Sequence, residues 1–72
     1  MEGSVIHRDP DILGGTPVFR GARVPIRILF EHLEAGDALE VFLTDFPSVM
    51  REQASEVLHL ALNQLTDTDE AA

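Results

Sequence analysis

The residues best suited to chemistry are two arginines, Arg20 and Arg23, which flank Gly21 in a stretch dense in turn formers. A guanidinium is planar, always charged and carries its donors in a fixed fork, so a pair on a protruding turn could hold a carboxylate or a phosphate. An ordinary solvated arm, or ion pairs with acids elsewhere in the chain, would use the same residues. Other candidates fall to spacing. His7, His32 and His59 lie about 25 residues apart and have no His, Cys or carboxylate at zinc-ligand intervals. Asp9-Pro10-Asp11 hints at a calcium loop, but Arg20 stands where a bidentate Glu would be needed. Gly14-Gly15-Thr16 lacks the Lys and the following helix of a phosphate loop, so it is read as a tight turn. No nucleophile has a base beside it in sequence. A 72-residue chain also offers little scaffold for a dry catalytic cleft. The expectation is a protein that binds rather than catalyses, without cofactor or metal.

The elements that position the arginines follow from punctuation and period. Pro10, Gly14, Gly15, Pro17, Gly21 and Pro25 exclude a continuous helix over that stretch. Val5-Ile6-His7 reads as one strand, and Val18 to Val24 as two short strands joined at Gly21, so residues 5–24 form a β-arm. From Pro25 the period becomes helical. Ile26, Leu29, Phe30 and Leu33 share one face of a helix over about 25–35, with Gly36 free to turn left-handed after it. Asp37 and Glu40 have the spacing of a capping box for a second helix over about 38–45, which Pro47 ends. A third helix over about 51–65 carries Ala54, Val57, Leu58, Ala61, Leu62 and Leu65 in one stripe. The acidic tail 66–72 has no apolar period and is expected to fray. The whole chain is thus one mainly α domain: an arm and three helices spaced as in a helix-turn-helix unit, or as in any small three-helix bundle.

Charge divides along the same line. Five Arg and no Lys face thirteen acids, a formal charge of −8. Residues 1–30 hold Arg8, Arg20, Arg23 and Arg27 against Glu2, Asp9 and Asp11, a net of +1, whereas 31–72 hold only Arg51 against ten acids, a net of −9. Phosphate contacts by basic residues supply most non-specific DNA affinity, so the helices are a poor autonomous DNA surface. If the third helix does enter a groove, Arg51, Gln53, Ser55 and His59 are its candidate contacts, although Glu52 and Glu56 share its outer side. A chain this short buries only about 60% of its unfolded surface, which favours a homodimer or higher oligomer. With no Cys, no membrane-length apolar run and an acid rather than a basic stretch in Met1 to Ser4, the expected location is the cytoplasm.

The run from Asp9 to Ile26, above all its Gly14 to Arg23 core of Gly-Gly-x-Pro-Val-x-x-Gly-x-Arg, closely resembles the hallmark of domain-of-unknown-function family 433. Glu34-Ala35-Gly36-Asp37, Phe46-Pro47-Ser48-Val49 and Glu52 to Ala61 fill the family's later positions in order, so the resemblance spans about 5–62. It implies a short N-terminal β-arm or hairpin followed by a three-helix, homeodomain-like helix-turn-helix. It further implies a VapB-type antitoxin of a type II toxin-antitoxin system, one that silences a PIN-like nuclease toxin and, with it, contacts operator DNA. The alternative is a helix-turn-helix scaffold that only mediates oligomerisation. Such nucleases hold divalent metal with clustered carboxylates, and Arg23, then Arg20, with Phe19 and Arg27 beside them, are the expected partner contacts. An acidic helical surface that mimics a nucleic-acid backbone is the other route to inhibition. Three departures stand out. Ala22 replaces a Thr that could fix the turn, and Met50 replaces a Ser or Thr cap, leaving the third helix an open first turn at a cost of about 1 kcal/mol. The third is the shortage of basic residues on the third helix.

Overall fold

The computed structural model describes residues 4–71, with 68–71 as helix backbone alone. Residues 1–3 and the last residue of the expected tail lie outside the described residues. Strand β1 (Ile6–His7) pairs antiparallel with β2 (Val18–Phe19), Ile6 opposite Phe19 and His7 opposite Val18. The expected third strand, running up to Val24, is reduced to a hydrogen bond from the Phe19 N–H to the Val24 carbonyl (2.9 Å) and a single bridge between Val18 and Pro25. Pro25 has no N–H to continue a ladder, and the chain turns helical directly after it. The reversal at Gly21 closes with the Ala22 N–H donating to the Phe19 carbonyl (3.0 Å). Gly21 has φ +82°, the left-handed value that a type II turn demands at its third position. The turn is thus held by backbone, and Ala22 needs no hydroxyl.

Helix α1 (Ile26–Glu34) ends as its sequence predicts. Gly36 has φ +90°, its N–H donates to the Leu33 carbonyl (3.0 Å), and the Asp37 N–H donates to that of His32 (3.0 Å). These two bonds make a Schellman close. The same close removes the expected capping box. With its N–H committed to α1, Asp37 turns its carboxylate to His32 Nδ1 (3.0 Å), and Ala38 takes the cap position of α2 (Leu39–Asp45) without a side-chain bond. Helix α3 (Arg51–Ala71) overruns its expected end at 65. Neither Gly nor Pro occurs after Pro47 to stop it, and Thr66 returns its hydroxyl to the Leu62 carbonyl (2.8 Å), so residues 66–71 stay helical. At about 1.5 Å per residue α3 runs roughly 31 Å, most of the molecule's 37 Å long dimension. Among the described residues no helix is long and apolar enough to cross a membrane.

The core lies where arm and helices meet. Val5, Phe19, Val24, Leu29, Phe42, Val49, Ala54 and Val57 form one buried cluster, with Phe19, Phe42 and Leu29 fully enclosed. The Phe42 ring packs against Phe19 (5.8 Å between centroids) and Phe46 (5.3 Å). Helix α3 enters this core only at its near end. Of its expected stripe, Ala54 and Val57 are buried and Leu58 and Ala61 half-buried, but Leu62 and Leu65 are exposed, the latter at 70%. Residues 59–71 of the helix extend past Leu58, the last α3 residue packed against the core, which is why the stripe is not all covered within one chain. The result is a mainly α fold: a two-strand arm, then three helices.

Candidate functional site

The arm's turn is built to present side chains. The Arg20 N–H donates to the Val5 carbonyl (2.8 Å) and its Nε to that of Ser4 (2.6 Å), so this arginine is tied along the start of the chain. Its own carbonyl accepts a bond from Gln53 Nε2 on α3 (3.0 Å). The other end of the same amide, Gln53 Oε1, accepts the Met50 N–H (2.9 Å). One side chain therefore staples the arm to α3 and supplies the return half of a capping box. The first turn expected to stay open at Met50 is partly closed, because Gln53 three residues on reaches back.

Arg23 is held differently. Its backbone has φ +57°, a left-handed value that costs a non-glycine L-residue about 1–2 kcal/mol. The Gly21 turn on one side and buried Val24 on the other impose it. The side chain is exposed, with no hydrogen bond or ion pair to any described residue. Leu13, in the other arm loop, is the second non-glycine residue with positive φ (+52°) among those described, and it is 58% exposed. Both strained backbones thus point a side chain outward, and both lie in the arm.

The remaining expected contacts divide. Phe19 is fully buried, so it is a core residue and not a partner contact; its ring is the one that anchors the arm on Phe42. Arg27 pairs with Glu31 one turn on (2.8 Å). On α3, Arg51, Ser55 and His59 recur at four-residue steps on one exposed face, flanked by exposed Glu52 and Glu56. Gln53 is off that face, engaged with the arm. Arg51 reaches Glu40 on α2 (3.0 Å). Glu40 is held below the ordinary glutamate value of 4.5, first by its own backbone N–H and then by the hydrogen bond and charge of Arg51.

Sequence spacing did not bring out His32. It lies half-buried at the end of α1, Nδ1 against Asp37 (3.0 Å) and Nε2 facing Asp45 (3.7 Å), with its ring edge-on to Phe42 and Phe46. This pins the ends of α1 and α2 together. The Gly36 close that brings Asp37 back to His32 was the available signal. Among the described residues no group of three or more His, Cys, Asp or Glu side chains is arranged to hold a metal ion, and no polar side chain is buried. The largest concavity described, about 490 Å³, is an open groove between β1, α1 and α3 with mostly apolar walls, and a second of about 320 Å³ continues it toward Pro17 and Arg27. Neither gathers the convergent polar groups that chemistry on a small substrate requires.

A 49-residue stretch, 68% of the chain, is 43% identical to the uncharacterized protein y4eO of Sinorhizobium fredii (strain NBRC 101917 / NGR234). The match takes in 22% of that relative, so the chain spans only about a fifth of the relative's length. No solved structure matches. The family model for proteins of unknown function DUF433 matches residues 6–61, from β1 through the middle of α3 and including the turn that carries Arg20 and Arg23, and the chain belongs to that family.

Proposed function

We propose that this chain is a non-catalytic binding protein of the antitoxin kind, which silences a PIN-like nuclease by delivering Arg23, supported by Arg20, to the carboxylates that hold the nuclease's metal. The observation that carries the reading is Arg23 itself: an exposed guanidinium on a strained backbone, without a partner among the described residues. Strain of that kind persists where the surrounding fold over-determines it, and it clusters at contact sites. A fork of fixed donors suits a carboxylate cluster better than a lysine would. Operator contact, in this reading, is made by the complex, with Arg51, Ser55 and His59 as the α3 face that meets DNA. The test is inhibition of the nuclease encoded beside this chain. Arg23→Ala should weaken inhibition by about 10- to 100-fold, the worth of one charge-assisted contact, and Arg23→Lys should recover only part. Unchanged inhibition by Arg23→Ala overturns the reading.

A second reading, a helix-turn-helix scaffold that only mediates assembly, is favoured by the engagement of Arg51 with Glu40 and of Gln53 with the arm, which leaves few free donors on α3. An electrophoretic shift with upstream DNA, at low and high salt and with and without the nuclease, separates the two.

A further inference from the structure

We propose that two copies of this chain pair through the distal half of α3, antiparallel, each laying Leu65 into the groove that β1, α1 and α3 form on the other. The chain carries both halves of such a contact. The groove is lined by Ile6, Arg8, Ile26 and Phe30 on one side and, from α3 itself, by Val57, Leu60, Ala61 and Gln64 on the other. Beyond the groove, α3 exposes Leu62 and Leu65 at 53% and 70%. Every described side chain after Ala61 is exposed as far as Asp67. A two-fold contact is also the arrangement in which one patch serves both partners.

Charge chooses the occupant and its direction. The groove's edge is basic, whereas the residues that follow Leu65 include Asp67, Asp69 and Glu70. A parallel pair would bring the two acidic ends together. An antiparallel pair separates them and sets each acidic end on the side of the other copy's Arg8. Small, half-buried Ala61 stands at the middle of α3, where the helices can approach most closely. A stable pair needs on the order of 1,000 Å² in total, about a tenth of the 5041 Å² each copy exposes.

This contact uses different residues from the nuclease reading and does not depend on it. The test is sedimentation of the full chain at about 100 μM, with variants that alter the interface core. Wild type should sediment as a dimer, and Leu65→Glu as a monomer whose association is at least ~100-fold weaker. Leu65 is so exposed in one chain that Leu65→Glu should still unfold cooperatively on heating. Because the chain contains no Cys, a single introduced thiol reports direction. Ala61→Cys should cross-link on oxidation and Asp67→Cys should not. A monomeric wild type, a dimer indifferent to Leu65→Glu, or cross-linking of Asp67→Cys overturns the proposal.

Discussion

The arm and the distal half of α3 reverse the usual association between regular structure and firm anchorage. The arm has two strands of two residues each and two strained backbones, yet it contributes Val5, Val18, Phe19 and Val24 to the buried interior. The end of α3 is uninterrupted helix, yet every described side chain after the half-buried Ala61 is exposed. Hydrogen bonds of a helix are satisfied locally and need no neighbour, whereas side-chain burial requires one. What holds a segment in place is the apolar surface it removes from water, about 25 cal/mol per Å². The arm can therefore carry left-handed residues, because its core contacts offset their cost. The end of α3 carries no positive-φ residue among those described, so it has no such cost to offset.

The largest effect that would sharpen this contrast comes from the shared core. Phe42→Ala removes the ring that touches both Phe19 and Phe46 and leaves a cavity worth about 3–5 kcal/mol. A domain of this size has a total stability of roughly 4–11 kcal/mol, so the variant should be largely unfolded in moderate urea. Leu65→Ala in dilute protein should move stability by no more than about 0.5 kcal/mol. Urea melts of the two variants measure both. Similar losses in the two would mean that the end of α3 is anchored within the single chain, and the contrast would fail.

Much of this was legible in sequence. The three helices announce themselves by period, and the Gly36 turn by its position after Leu33. The arm is marked by its Pro and Gly density. What stayed hidden has a common cause in distance. Gln53 joins the arm across 33 residues, and an amide on a helix face looks the same whether it reads DNA or meets a carbonyl. Phe19 on a two-residue strand has no alternation long enough to show which face is buried. His32 finds Asp37 only because the chain reverses at Gly36, and Asp45 only because α2 packs back on α1. For α3, the apolar stripe correctly marks a face to be covered. Periodicity does not say by what, so one stripe joins buried Ala54 and Val57 to exposed Leu62 and Leu65.

A smaller effect tests the link between the two regions. Gln53→Ala removes the bond to the Arg20 carbonyl and the one from the Met50 N–H. Both partners lie near water, so the expected loss is about 1–2 kcal/mol in a urea melt rather than the cost of two buried bonds. Gln53→Glu divides the two contributions. It keeps an acceptor for Met50 but brings a carboxylate toward the Arg20 carbonyl, so it should restore the start of α3 and not the staple. Amide exchange at Arg20 in the arm and at Gln53 in the first turn of α3 should then respond separately. If the two move together in both variants, the arm and α3 are one cooperative unit and the staple is incidental.

The smallest effect concerns the near end of α3, where Arg51 joins Glu40 across exposed surface. A carboxylate whose folded value is depressed contributes stability that is complete above its unfolded value and lost as pH falls through the folded one. For Glu40 the loss therefore begins below the ordinary 4.5. Both side chains are well exposed, so solvent screens the pair and the change in stability should be slight. The titration itself is the better readout. In Arg51→Ala the charge and the side-chain hydrogen bond disappear, but the bond from Glu40's own backbone N–H in the first turn of α2 remains. The Glu40 carboxyl, followed by carbon-13 NMR, should move up toward its ordinary value without reaching it. A full return would make Arg51 the whole cause. No movement would mean that Arg51 is not held by α2, which would free it for the exposed face it shares with Ser55 and His59.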